Sequence, residues 1–107
     1  MNGSLEMAAS FIPQLMDSLL EVTGWEKNVT IGICPPYPYL GVLASKCEGY
    51  PMWAGAQDVS SKLIGAYTGE VSATMLSDMA LKFCLVGHSE RRQYHKESDA
   101  LINAKHA

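Results

Sequence analysis

The residues best suited to chemistry lie in one string, Gly87-His88-Ser89-Glu90-Arg91-Arg92. It brings an imidazole, a hydroxyl, a carboxylate and two guanidinium groups together on adjacent positions. The string follows directly on Phe83-Cys84-Leu85-Val86, and a short apolar run bounded by Gly reads as a buried strand. His88 therefore falls at a strand tip, and Ser89 suits the cap of a short helix behind it. The positive end of that helix dipole faces the imidazole. Such a field disfavours the imidazolium and favours a neutral ring that donates a hydrogen bond to a developing oxyanion.

Several elements must position this string. Leu5, Ala8, Phe11, Ile12, Leu15, Leu19 and Val22 recur at helical spacing, so Ser4–Val22 reads as a helix closed by Thr23-Gly24, with Pro13 kinking or restarting it. Val29–Cys34 is a strand stopped by Pro35-Pro36, Tyr37–Lys46 a second helix, and Met52–Gln57 a second strand. A long connection, Asp58–Glu70, leads to a third helix over Val71–Met79 with Ser72 as its cap. Lys82–Val86 is the third strand, and Ser98 or Asp99 caps a last helix. Alternating helices and strands predict an α/β fold with three parallel strands and flanking helices. Met7, Met16, Met75 and Met79 fall at helical spacing and are expected to fill the core. The layout lacks a partner for the first strand's free edge and stops within a helix, as if cut at both ends.

Composition excludes several classes. Hydrophobic residues make up 48% and charged residues 18%, which argues against disorder. The net charge is −3 and Arg91-Arg92 is the only basic pair, so no nucleic-acid surface is expected. No apolar run reaches the ~20 residues of a membrane span, and no signal peptide opens the chain. Cys34, Cys47 and Cys84 match no metal knuckle or redox pair. Cys34 and Cys84 read as buried small hydrophobes in strands, in a reducing, cytoplasmic setting.

Five strings in order carry a resemblance. They are Met1-Asn2-Gly3, Cys34-Pro35-Pro36, Gly55-Ala56-Gln57-Asp58-Val59-Ser60, Gly65-Ala66-Tyr67-Thr68-Gly69-Glu70-Val71-Ser72 and the His88 string. Together they resemble the triosephosphate isomerase family over nearly the whole chain. The resemblance implies residues 1–107 of a (β/α)8 TIM barrel, a fold of typically ~250 residues, with the first strand and the C-terminal half outside this sequence. Two positions depart from the family pattern: Asp58 stands where many relatives carry Asn, and His95-Lys96 where Gly is expected before Glu97.

The resemblance also implies roles. His88 is the neutral electrophile that polarises the substrate carbonyl, an assignment taken from the family. Ser89 and Glu90 neighbour it. The reaction is interconversion of dihydroxyacetone phosphate and glyceraldehyde 3-phosphate in glycolysis and gluconeogenesis, without metal or organic cofactor. The catalytic Lys and the Glu base fall outside the 107 residues, so the chain alone is expected to be inactive. Loop 58–70 makes the homodimer, with Tyr67 and Thr68 inserted into the partner, Glu70 and Arg91 as charged contacts, and Asn2 and Gln57 nearby. The rival reading is a non-catalytic α/β module that binds an anion or a protein partner.

Overall fold

Every residue from 1 to 107 is described in a computed structural model. Helix α1 (Leu5–Leu19) begins where the Ser4 hydroxyl accepts the Met7 backbone N–H, and it buries Ala8, Ile12 and Met16 along one stripe. Pro13 does not restart the helix. The carbonyl that loses its donor belongs to Ala9, which is exposed rather than in the core. The helix stops short of Val22 because Leu20 and Val22 are exposed and add nothing to the buried stripe. Gly24, at φ +74°, opens a short 3-10 turn over Trp25–Lys27, and Trp25 packs back on the core.

Strand β1 (Ile31–Ile33), helix α2 (Tyr37–Cys47), strand β2 (Met52–Ala56), helix α3 (Ala73–Asp78) and strand β3 (Phe83–Cys84) follow in order. The sheet is parallel, in the order β1-β2-β3, with Ile31 opposite Met52 and Ala56 opposite Cys84. The outer strands are shorter than expected. Leu85 N–H still reaches the Ala56 carbonyl at 2.9 Å, but β2 ends there and Val86 finds no ladder partner.

Side chains alternate across the sheet. Met52 and Ala54 face the helices and join Ile12, Met16, Leu43 and Cys47 in one buried cluster, while Leu40, Ala56, Val59 and Leu76 form a second. On the other face Trp53 is 47% exposed. There the Phe83 ring lies across Gly32 and Gly55, and a Cβ on either glycine would sit 2.5 or 2.6 Å from Phe83 Cζ.

The core is small. Sixteen of 107 residues are buried, and the radius of gyration is 15.3 Å against about 13 Å for a compact domain of this length. Of the four methionines expected to fill it, only Met16 does so; Met7, Met75 and Met79 lie on outward stripes of α1 and α3. Among the cysteines, Cys47 is the buried one, on the inward stripe of α2 with Leu40 and Leu43. Cys34 and Cys84 are half-buried because each sits at the end of its strand.

Helices α4 (Ser89–Tyr94) and α5 (Asp99–His106) complete the chain, with Ser98 capping α5 through Leu101 N–H. Lys96, between them, has φ +57°, and Ala80 after α3 has φ +56°. The left-handed region costs an L-residue roughly 1–2 kcal/mol, partly offset because Gly raises the unfolded chain's entropy. Lys96→Gly is therefore expected to stabilise the fold by about 0.5–1 kcal/mol, read as a higher urea midpoint at unchanged m-value. An equal or lower midpoint would show that the Lys96 Nζ bond to the Gln93 carbonyl, 2.9 Å, outweighs the relief.

Candidate active site

The parallel sheet places Cys34, Gln57 and the His88 string just beyond its strands' carboxyl ends. His88, not Ser89, caps α4: its Nδ1 accepts the Glu90 backbone N–H at 3.2 Å. The cap lies one residue earlier than expected because a side-chain nitrogen can serve an N2 amide as a hydroxyl would. The bond has a chemical consequence. An imidazolium has no acceptor, so acceptance at Nδ1 goes with the neutral form whose proton is on Nε2. The Glu90 carboxylate lies 3.9 Å from the same Nδ1, beyond the closer amide. The His88 side chain is half exposed. Ser89 and Glu90 are exposed beside it.

Helix α4 is tied down behind this ring. Arg91 Nε meets Asp58 Oδ2 at 3.0 Å and Glu97 Oε1 at 2.7 Å. Lys105 Nζ meets Asp58 Oδ1 at 2.8 Å and Glu97 Oε1 at 2.6 Å. Two cations and two carboxylates thus form a closed, charge-balanced quartet, with Glu97 and Lys105 side chains only 3% and 4% exposed. Burial pulls the Glu97 carboxyl upward, but hydrogen bonds from Lys105 and Arg91 outweigh it and hold the group below its ordinary value. Burial likewise pulls Lys105 down, and the bonds to Asp58 and Glu97 reverse that and raise it. Glu97 Oε2 is buried without a hydrogen-bond partner, a cost the quartet carries.

Sequence reasoning missed this quartet. In the sequence Asp58 and Glu97 stand out only at or beside departures from a family pattern, and Lys105 does not stand out. One local signal was present: Lys105 follows Ile102 by three residues and shares the half-buried stripe of α5. Arg91, expected at an interface, directs its guanidinium to Asp58 and Glu97 within the chain.

The long loop is rooted at Asp58 and closed at its base by Ser60 N–H to the Val71 carbonyl, 2.8 Å. Between these points Leu63, Ile64, Tyr67, Thr68 and Glu70 are exposed, Ile64 at 92%. Tyr67 folds its ring over Gly65 and its carbonyl accepts Glu70 N–H at 2.9 Å. No hydrogen bond or ion pair joins Tyr67, Thr68 or Glu70 to His88. Gln57 Nε2 donates to the Cys34 carbonyl at 2.9 Å, and Gln57, Asn2 and Cys34 line one cavity of about 260 Å³.

Tyr37 fastens the loop root by donating its hydroxyl to the Asp58 carbonyl. Burial, then the Asp58 carboxylate, pushes this phenol up to about 12. A phenol raised from an ordinary ~10 stabilises the fold fully below that value and loses the contribution as pH climbs through its folded value. The phenolate absorption curve is expected to show a late step near pH 12 that Tyr37→Phe removes. A lost step near pH 10 instead would contradict the raised value.

Comparison with known proteins fits this geometry. The family model described as Triosephosphate isomerase matches residues 1–107. The chain belongs to the triosephosphate isomerase family. It is 47% identical over 106 residues to Triosephosphate isomerase of Xanthomonas oryzae pv. oryzae, covering 99% of this chain and 42% of that relative. It is 45% identical over 98 residues to that of Carboxydothermus hydrogenoformans, covering 92% and 38%. The one from Escherichia coli O1:K1 / APEC is 42% identical over 107 residues, covering 100% and 40%. The chain thus spans about two fifths of the length of these triosephosphate isomerases. Three parallel strands with flanking helices agree with a segment of a TIM barrel. No helix is long and apolar enough to cross a membrane.

Proposed function

We propose that residues 1–107 form a partial TIM-barrel domain carrying the electrophilic side of a triosephosphate isomerase site, acting on dihydroxyacetone phosphate and glyceraldehyde 3-phosphate. The observation that carries the reading is the Glu90 amide on His88 Nδ1. It leaves Nε2–H as a donor at the mouth of the sheet. In the isomerisation a base takes a proton from the carbon beside the carbonyl, and the electron pair moves onto the carbonyl oxygen. Nε2–H stabilises the resulting enediolate oxygen without first giving up its proton. Ser89 and Glu90 border the ring, as family resemblance suggests. The base and the catalytic Lys that the family uses belong outside these residues, so the 107-residue chain alone is expected to show no turnover.

The same reading assigns Tyr67, Thr68 and Glu70, with Asn2, Gln57 and Arg91 around them, to contact with a second copy of the chain. The exposed Leu63, Ile64 and Tyr67 support a loop that needs another surface. The setting is cytoplasmic and glycolytic, consistent with three free thiols.

The test places residues 1–107 in the matching segment of the Xanthomonas oryzae relative and measures triose phosphate turnover. The chimera is expected to be active, and His88→Gln in it to lower kcat by about 10²–10³-fold, the size of losing one oxyanion donor, with KM nearly constant. A folded chimera without activity, or a His88→Gln variant at full rate, overturns the proposal.

A further inference from the structure

We propose that Arg92 is the positioning residue that sets the His88 ring, by holding the Gly87 carbonyl with its side chain. The inference rests on His88 being the electrophile. Arg92 Nε donates to the Gly87 carbonyl at 3.0 Å, just before His88. The first-turn backbone bond of α4, Arg92 N–H to the His88 carbonyl at 3.1 Å, fixes the other side of His88 whatever side chain stands at 92. The far end of the guanidinium is held by Asp99 on α5, Nη1 to Oδ1 at 2.6 Å. Gly87 itself turns at φ +70°, and its open side is walled by Ile102 and the Arg92 guanidinium, 3.0 and 3.4 Å from where a Cβ would stand. With the Gly87 carbonyl pinned, the peptide plane that leads into His88 cannot rotate. His88 then keeps the backbone that lets Nδ1 meet the Glu90 amide.

Stability does not account for this arrangement. The Arg92 and Asp99 side chains are 46% and 90% exposed, and exposed pairs contribute little. Geometry does account for it: the planar guanidinium directs Nε to the Gly87 carbonyl and Nη1 to the Asp99 carboxylate in a fixed fork. A Lys ammonium is a single point charge on a flexible stem and does not reproduce the fork.

The experiment labels the 107-residue chain with ¹⁵N and reads the His88 ring nitrogens and Glu90 amide exchange in the parent, Arg92→Met and Arg92→Lys. The parent is expected to show an acceptor Nδ1 and a protonated Nε2. Both variants are expected to mix the tautomers and to speed Glu90 exchange about fivefold to tenfold, the factor one net hydrogen bond carries, while the urea midpoint hardly moves. Parent-like spectra in Arg92→Met, or full rescue by Arg92→Lys, overturn the role of Arg92 and leave the electrophile reading standing. A parent without the Nε2–H tautomer overturns the electrophile reading itself. Should Arg92→Met fail to fold, Asp99→Ala at its exposed site is expected to give the same change in smaller degree, and parent-like spectra there overturn the proposal.

Discussion

Leu40→Ala is expected to remove about half or more of the chain's stability. Leu40 is 1% exposed and sits among Ala56, Val59 and Leu76, where α2, the end of β2, the long loop and α3 meet. Truncating a buried Leu to Ala costs about 2–5 kcal/mol, depending on how far the site collapses. With so few residues buried, total stability belongs at the low end of the usual range, near ~5 kcal/mol. Urea unfolding followed by circular dichroism tests this, with Leu40→Met as the volume-conserving control at under about 1.5 kcal/mol. A Leu40→Ala midpoint close to the parent's would mean that the second cluster contributes little.

Glu97→Gln is the other change with a large effect. The amide keeps the shape and removes the charge, so Arg91 and Lys105 are left with Asp58 alone. Removing one partner from a buried ionic group costs about 3–5 kcal/mol, since the remaining charges stay desolvated. The sign with pH follows from the direction of each shift. Glu97 is held below its ordinary value, so its contribution is complete above an unfolded value of ~4.3 and disappears as pH falls through the folded value. Lys105 is held above its ordinary value, so its contribution is complete below ~10.4 and disappears as pH rises through the folded value. The parent's stability should therefore form a plateau with a limb on each side, and Glu97→Gln should flatten the acid limb. Glu97→Met combined with Lys105→Met removes one charge of each sign, so its cost should fall well below the sum of the singles. Additive losses, or an acid limb that persists in Glu97→Gln, would remove the quartet from the account of stability.

The parts of the fold legible in the sequence are those set by local periodicity. Ala8 and Ile12 belong to a three- and four-residue rhythm that predicts α1 and its buried stripe, and Ser72 and Ser98 cap the helices where a hydroxyl precedes an apolar run. The ends of β1 and β3 were not legible, because a strand lasts only as long as its neighbour's carbonyls do, and that depends on β2. The His88 string announces chemistry by its residue types, yet the cap on α4 turned out to be the imidazole itself, a choice between adjacent residues that propensity does not decide. The quartet was hidden for a different reason: Asp58 and Lys105 are 47 positions apart, and no spacing rule reaches across α3, β3 and α4.

The aromatic ring spread over two glycines has a consequence for how this sheet can change. Gly32 and Gly55 lie on different strands, yet a methyl group on either would displace the ring of the same Phe83. Whichever glycine mutates first must evict the ring and bear the whole penalty, and the second then mutates almost freely. A smaller residue at position 83 would release both at once. The three sites form one epistatic unit, so their history depends on order, and the substitution that opens the way occurs at neither glycine.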